Sequence, residues 1–138
     1  MTIVPVILAG GVGERFWPLS RSARPKQLLP ITTDRSMLEE TLRRMMPLCG
    51  AGARPLIVTG CDMAAKIRAA IPKSLAYDVI AEPVGRDTAP AIAIAAAWIC
   101  GTYGDAVMAI DTADHAIGRI ADYRAAMKAD ARFSRDLF

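Results

Sequence analysis

The stretch Val6 to Gln27, VILAGGVGERFWPLSRSARPKQ, limits what this chain can fold into more than any other. It begins as an apolar run, breaks into Gly10, Gly11 and Gly13, and then sets Arg15, Arg21, Arg24 and Lys26 against one acid, Glu14. Glycines let the backbone take positive φ and come close to a ligand, so that successive N–H groups can face an anion. Arginine neutralises phosphate oxygens in forked pairs and lysine does so as a point charge. A buried strand feeding such a loop predicts a phosphate site. The alternative is an ordinary strand-to-helix turn with a solvated basic loop. Neither common phosphate fingerprint is met: Phe16 stands where a dinucleotide motif needs its third glycine, and no Gly-Lys-Ser/Thr follows.

The rest of the chain alternates strand and helix signals. Ile3 to Ala9 is apolar and β-branched, as a central parallel strand requires. Ser36 to Glu39 has capping-box spacing, and Leu38, Leu42, Met45 and Met46 follow at helical spacing up to Pro47. Arg54 to Thr59 predicts a second strand, and Asp62 is the expected N-cap of a helix ending before Pro72. Tyr77 to Ala81 predicts a third strand, followed by the polar loop Glu82 to Thr88, with Thr88 as cap of an alanine-rich helix and Pro90 in its first turn. Asp105 to Ile110 is a fourth strand leading into Asp111-Thr112-Ala113-Asp114-His115, and Ala121 to Ala131 a last helix. This order predicts an α/β fold with a mainly parallel sheet flanked by helices. Ligands of such sheets bind outside the carboxyl ends of the strands, so the three post-strand loops should gather on one edge.

At 138 residues the chain is one domain at most, and 53% apolar against 22% charged residues predicts a folded globular protein. The net charge of +3 is modest and concentrated in the opening loop, which suits a local anion site and not a nucleic-acid face. Cys49, Cys61 and Cys100 form no CxxC pair, and reduced thiols in a cytoplasmic protein are expected. The N-terminal apolar run lacks a basic leader, which argues against a signal peptide. Ala89 to Cys100 is too short to span a bilayer and predicts a buried helix, so no membrane partner is expected.

LAGGVGERFWPLSRSARPKQ resembles the signature of the sugar-phosphate nucleotidyltransferases. Trp17-Pro18-Leu19-Ser20-Arg21 and Pro25-Lys26-Gln27 are similar to the mannose-1-phosphate guanylyltransferase (GDP-mannose pyrophosphorylase) branch, and EPVGRDTAPAIAIAA, Glu82 to Ala96, is close to that branch's pattern after its third strand. The resemblance implies a Rossmann-like nucleotidyltransferase fold joining GTP and mannose 1-phosphate to give GDP-mannose and pyrophosphate, with Mg2+. It implies Arg15 and Lys26 as catalytic residues, neutralising pyrophosphate and the α- or sugar phosphate. It implies Leu8, Ala9, Gly10, Gly11, Gly13, Glu82, Arg86, Asp87 and Thr88 as nucleotide-binding, and Asp114 of Asp114-His115 as the magnesium ligand. His115 is expected to be a structural neighbour, and Trp17 and Trp98 to pack in the core.

The match runs from about Ile3 to about Ala126, with the tail Ala129 to Phe138 unmatched, and covers only the first part of the family's catalytic domain. The family continues into strands that form the sugar-phosphate pocket and supply a second metal-binding aspartate. Residues 1–138 are therefore expected to be an N-terminal, truncated nucleotide-binding part of that domain. A catalytically incomplete nucleotide-binding remnant or interaction module is the alternative, and an open sheet edge would favour self-association. The chain departs from the family at Glu14 (usually threonine), Phe16 (usually leucine) and Asp111-Thr112 (usually an apolar residue and proline). Asp111 is expected to bring another carboxylate near the metal.

Overall fold

In the computed structural model, which describes residues 1–11, 18, 25–85 and 87–136, four strands form one parallel sheet. In chain order the elements are β1 (Thr2–Leu8), a 3-10 turn (Lys26–Leu28), α1 (Met37–Met45), a 3-10 turn (Met46–Leu48), β2 (Leu56–Gly60), α2 (Cys61–Ala70), β3 (Asp78–Glu82), α3 (Thr88–Tyr103), β4 (Ala106–Thr112) and α4 (Ile120–Asp136). The spatial order is β3-β2-β1-β4. The chain thus builds outward from β1 through β2 to β3, then returns to add β4 on the other side of β1. Leu8 registers with Val58 on one side and with Thr112 on the other.

Alternation along β1 sorts the core into two layers. Ile3, Ile7 and Ala9 face α1, α2 and α4, packing on Leu38, Leu42, Met45, Ile67 and Ala131. Val4 and Val6 face α3, packing on Ala91, Ala95 and Ile99. β1 is therefore covered on both faces, which explains its unbroken apolar sequence.

The helix starts show how local chemistry sets the boundaries. The Ser36 side chain accepts from the Glu39 N–H at 3.2 Å, as the capping-box spacing predicts. Asp62 is not the cap of α2: Gly60 holds that position without a side-chain bond, and Asp62 lies in the first turn, where its charge suits the helix dipole. Thr88 is not the cap of α3 either. Asp87 takes that role, its carboxylate accepting from the Thr88 N–H at 3.0 Å. Asp87 does so at φ 73°, a left-handed conformation that aspartate tolerates better than most residues.

The last helix runs from Ile120 to Asp136, longer than its apolar positions indicate. α3 is not a buried helix: only Ala91, Ala95 and Ile99 are fully covered, and Ile94 on its outer side is 42% exposed. Trp98 does pack, meeting Tyr103 edge to face with ring centroids 5.8 Å apart.

Candidate active site

The switch in strand order places a crevice between the carboxyl ends of β1 and β4, where α/β sheets bind ligands. Its base is fixed by the Ala113 N–H donating to the Leu8 carbonyl at 3.1 Å, which continues the ladder one residue beyond the strands. A cleft of about 440 Å3 opens above it, lined by Leu8, Gly10, Gly11, Gln27, Val58, Glu82, Gly85, Asp87, Thr88, Ala91, Thr112, Ala113 and Asp114. The loops after β1, β3 and β4 thus meet at one site, as the connectivity predicts.

Gly11 has φ +91°, a conformation that favours glycine. Gln27 sits buried beneath this turn and donates from Nε2 to the Gly10 carbonyl at 2.8 Å and the Gly11 carbonyl at 3.1 Å. Both carbonyl dipoles are thereby engaged below the loop, which lowers the repulsion an anion would meet there. Gln27 Oε1 is buried without a protein partner among the described residues, leaving an acceptor at the cleft. The 3-10 turn Lys26–Leu28 carries both Gln27 and its cationic neighbour into place.

Lys26 reaches across the mouth of the cleft to Asp114, Nζ to Oδ2, at 2.8 Å. The side chains are 18% and 38% exposed, so the pair is neither sealed nor fully solvated. The Lys26 hydrogen bond holds the Asp114 carboxyl below its ordinary range, against the partial burial that pulls it upward. Asp114 therefore lines the cleft as a carboxylate held in place by Lys26.

The other lining groups divide by chemistry. Glu82 is buried at the carboxyl end of β3, where it lines the cleft. Asp87 and Thr88 lie at the start of the 16-residue α3, whose N-terminal dipole favours anions. A second recess of about 450 Å3 lies on the α2 side of the glycine turn and shares Gly10, Gly11, Glu82 and Gly85 with the first. Ala9 borders that recess; its side chain is in the core and its backbone pairs with Val58 and Thr59. Gly13, Arg15 and Arg86 lie outside the described residues, as do Glu14, Phe16 and Trp17.

Asp111 is not near the cleft. It precedes Thr112 on β4 and so points to the opposite face, where it is buried against Arg44 at 2.9 Å and accepts from the Tyr123 hydroxyl at 2.7 Å. His115 is an exposed neighbour of this pair, Nδ1 lying 3.5 Å from Asp111 Oδ1. Sequence reasoning assigned no role to Gln27, although it closes the Pro25-Lys26-Gln27 motif. It missed Thr112 as well, because the strand end was placed at Ile110.

A parallel α/β sheet with a cleft at its topological switch point defines the class of doubly wound proteins. Within that class the chain belongs to the Nucleotidyl transferase family, whose model matches residues 4–136. It is 42% identical over 123 residues to a mannose-1-phosphate guanylyltransferase of Salmonella muenchen, covering 83% of this chain and 25% of that protein. It is 39% identical over 128 residues to the xanthan biosynthesis protein XanB of Xanthomonas campestris pv. campestris, covering 91% of this chain and 27% of that protein. The crystal structure of a mannose-1-phosphate geranyltransferase from Thermus thermophilus superposes with a TM-score of 0.81 at 36% identity, covering 94% of this chain and 37% of that one. The chain thus spans about a quarter of the length of the curated relatives it matches.

Proposed function

We propose that this chain is the nucleotide-binding part of a mannose-1-phosphate guanylyltransferase, acting in GDP-mannose and polysaccharide biosynthesis on GTP and mannose 1-phosphate. The observation that carries the reading is the Lys26–Asp114 pair at 2.8 Å, set at the mouth of a cleft walled by the glycine turn. Relatives with these names support it. The reaction would be in-line attack of a sugar-1-phosphate oxygen on the α-phosphorus of GTP with departure of pyrophosphate. The nucleophile is already anionic, so positioning and charge neutralisation supply the rate.

In this reading Lys26 neutralises the α- or sugar phosphate and Arg15 the departing pyrophosphate. Leu8, Ala9, Gly10, Gly11 and Gly13 cradle the nucleotide, while Glu82, Arg86, Asp87 and Thr88 meet base and ribose. A carboxylate can accept from the donor edge of guanine, which suits Glu82. No group of three or more potential ligands able to hold a metal by themselves occurs among the described residues. One carboxylate nevertheless fits Mg2+, which often takes one or two carboxylates with phosphate oxygens and water. Asp114 would hold the ion, which when bound supplies charge neutralisation between phosphates. A cytoplasmic location goes with nucleoside triphosphate as substrate, and no helix among the described residues is long and apolar enough to cross a membrane.

A magnesium-dependent pyrophosphate-release assay with GTP and mannose 1-phosphate tests the reading. A second reading, in which this chain binds GTP without turnover, is consistent with the share of the relatives' length that is matched. Saturable GTP binding with no pyrophosphate release would select it, and no GTP binding would overturn both.

A further inference from the structure

Arg44 is the most deeply buried charged side chain among those described, at 3% exposure, and it lies on the face of the sheet away from the cleft. Its guanidinium contacts three elements. One nitrogen donates to Asp111 Oδ2 at 2.9 Å and to the Thr41 hydroxyl at 3.1 Å, and the other to the His115 carbonyl at 3.3 Å. The plane also lies over the Tyr123 ring, 5.2 Å from its centroid, while Tyr123 donates to the same Asp111 oxygen. Asp111 Oδ1 accepts from the Thr112 N–H at 2.8 Å. One ion pair therefore grips both ends of the segment Thr112 to His115, and Asp114 lies between the two anchors.

A buried ion pair is a weak source of stability, because desolvation offsets most of the attraction and apolar side chains of like volume often serve as well. Arg44 Nε is in addition buried without a partner among the described residues. The pair is better explained by the geometry it imposes. We propose that Arg44 and Asp111 are positioning residues that hold the segment Thr112 to His115 from behind the sheet, so that Asp114 is presented to Lys26 at the cleft. Its functional meaning rests on the role proposed for Asp114; the geometric claim does not. Asp111 thus serves as a tether for the loop that follows.

Two full-length variants test this. Arg44→Met with Asp111→Leu removes both charges at once and leaves no orphaned ion. Arg44→Lys keeps the countercharge, but a single ammonium cannot reproduce the fork that spans Asp111 and the His115 carbonyl. In both, the backbone order parameters of Asp114 and His115 should fall from the rigid range of about 0.85 towards about 0.6. Exchange of the Ala113 amide should rise about tenfold, as loss of a bond to a charged group implies. Amides of β2 and α3 should be unchanged, and Mg2+–GTP should bind about tenfold more weakly. An unaltered loop in a folded variant, loosening spread evenly over the sheet, or failure of both variants to fold would each overturn the proposal. A wild-type chain that binds no GTP, with the loop still loosening in the variants, would sink the nucleotide reading and leave the positioning role standing.

Discussion

In the proposed function Lys26 is the residue on which the cleft's chemistry turns, and its pairing with Asp114 makes that testable. A depressed carboxyl contributes stability above its ordinary range, which is lost as pH falls through the folded-state value. Lys26→Ala should therefore flatten the acid limb of the stability curve and return the Asp114 carboxyl towards its ordinary range in a carbon-13 titration. The same variant should weaken GTP binding about tenfold or more, from the ~1.5–3 kcal/mol of a hydrogen bond to a charged group; unchanged affinity by calorimetry counts against the site. Tyr123 titrates in the opposite sense. Burial first, then the Asp111 carboxylate, pushes its hydroxyl up to about 12. Stability from a raised group is complete below its unfolded value and disappears as pH rises through the folded one, so the melting temperature should fall between about pH 10 and 12. Tyr123→Phe should shrink that alkaline limb to the part that the raised Tyr77 hydroxyl contributes. Lys26 and Asp114 were legible in the sequence because each lies in a motif. Asp111 was not: its partner Arg44 is distant in sequence, and only strand alternation reveals which face it takes.

At the scale of the element, the start of α3 joins fold and function. Asp87 both caps the helix and lines the cleft, and it adopts φ 73° to do so. Asparagine tolerates left-handed backbone and caps as well as aspartate, whereas alanine does neither. Asp87→Asn should keep the chemical-denaturation midpoint close to that of the wild type, and Asp87→Ala should lower stability by about 1–3 kcal/mol from lost cap and strained backbone. If the carboxylate also meets the nucleotide, Asp87→Asn will weaken GTP binding although the fold is intact; equal affinity would restrict Asp87 to capping. The existence and type of every described strand and α-helix were legible from periodicity, and so was the Ser36 cap of α1, but the caps of α2 and α3 were not. Asp87 and Thr88 are both good caps, as are Gly60 and Asp62 in their setting, and the choice depends on where the first hydrogen-bonded turn closes.

For the whole molecule, strand alternation predicts a parallel sheet but not its order, because nothing local tells β4 to return to the free side of β1. That return creates the switch point and hence the cleft. It also leaves β4 paired only with β1 among the described residues, beside an α3 whose outer side exposes Ile94. A strand with open N–H and C=O groups is a template for pairing with a second copy. The chain is therefore expected to associate as its concentration rises, and sedimentation velocity should show a shift from monomer to larger species. Ile94→Lys separates the two surfaces. Pairing through the β4 edge would persist in that variant, because main-chain hydrogen bonds do not depend on a side chain of α3. Loss of association would instead assign it to the helix face. A monomer at every concentration would mean that the edge is protected in the folded chain, and the expectation of self-association would then fail.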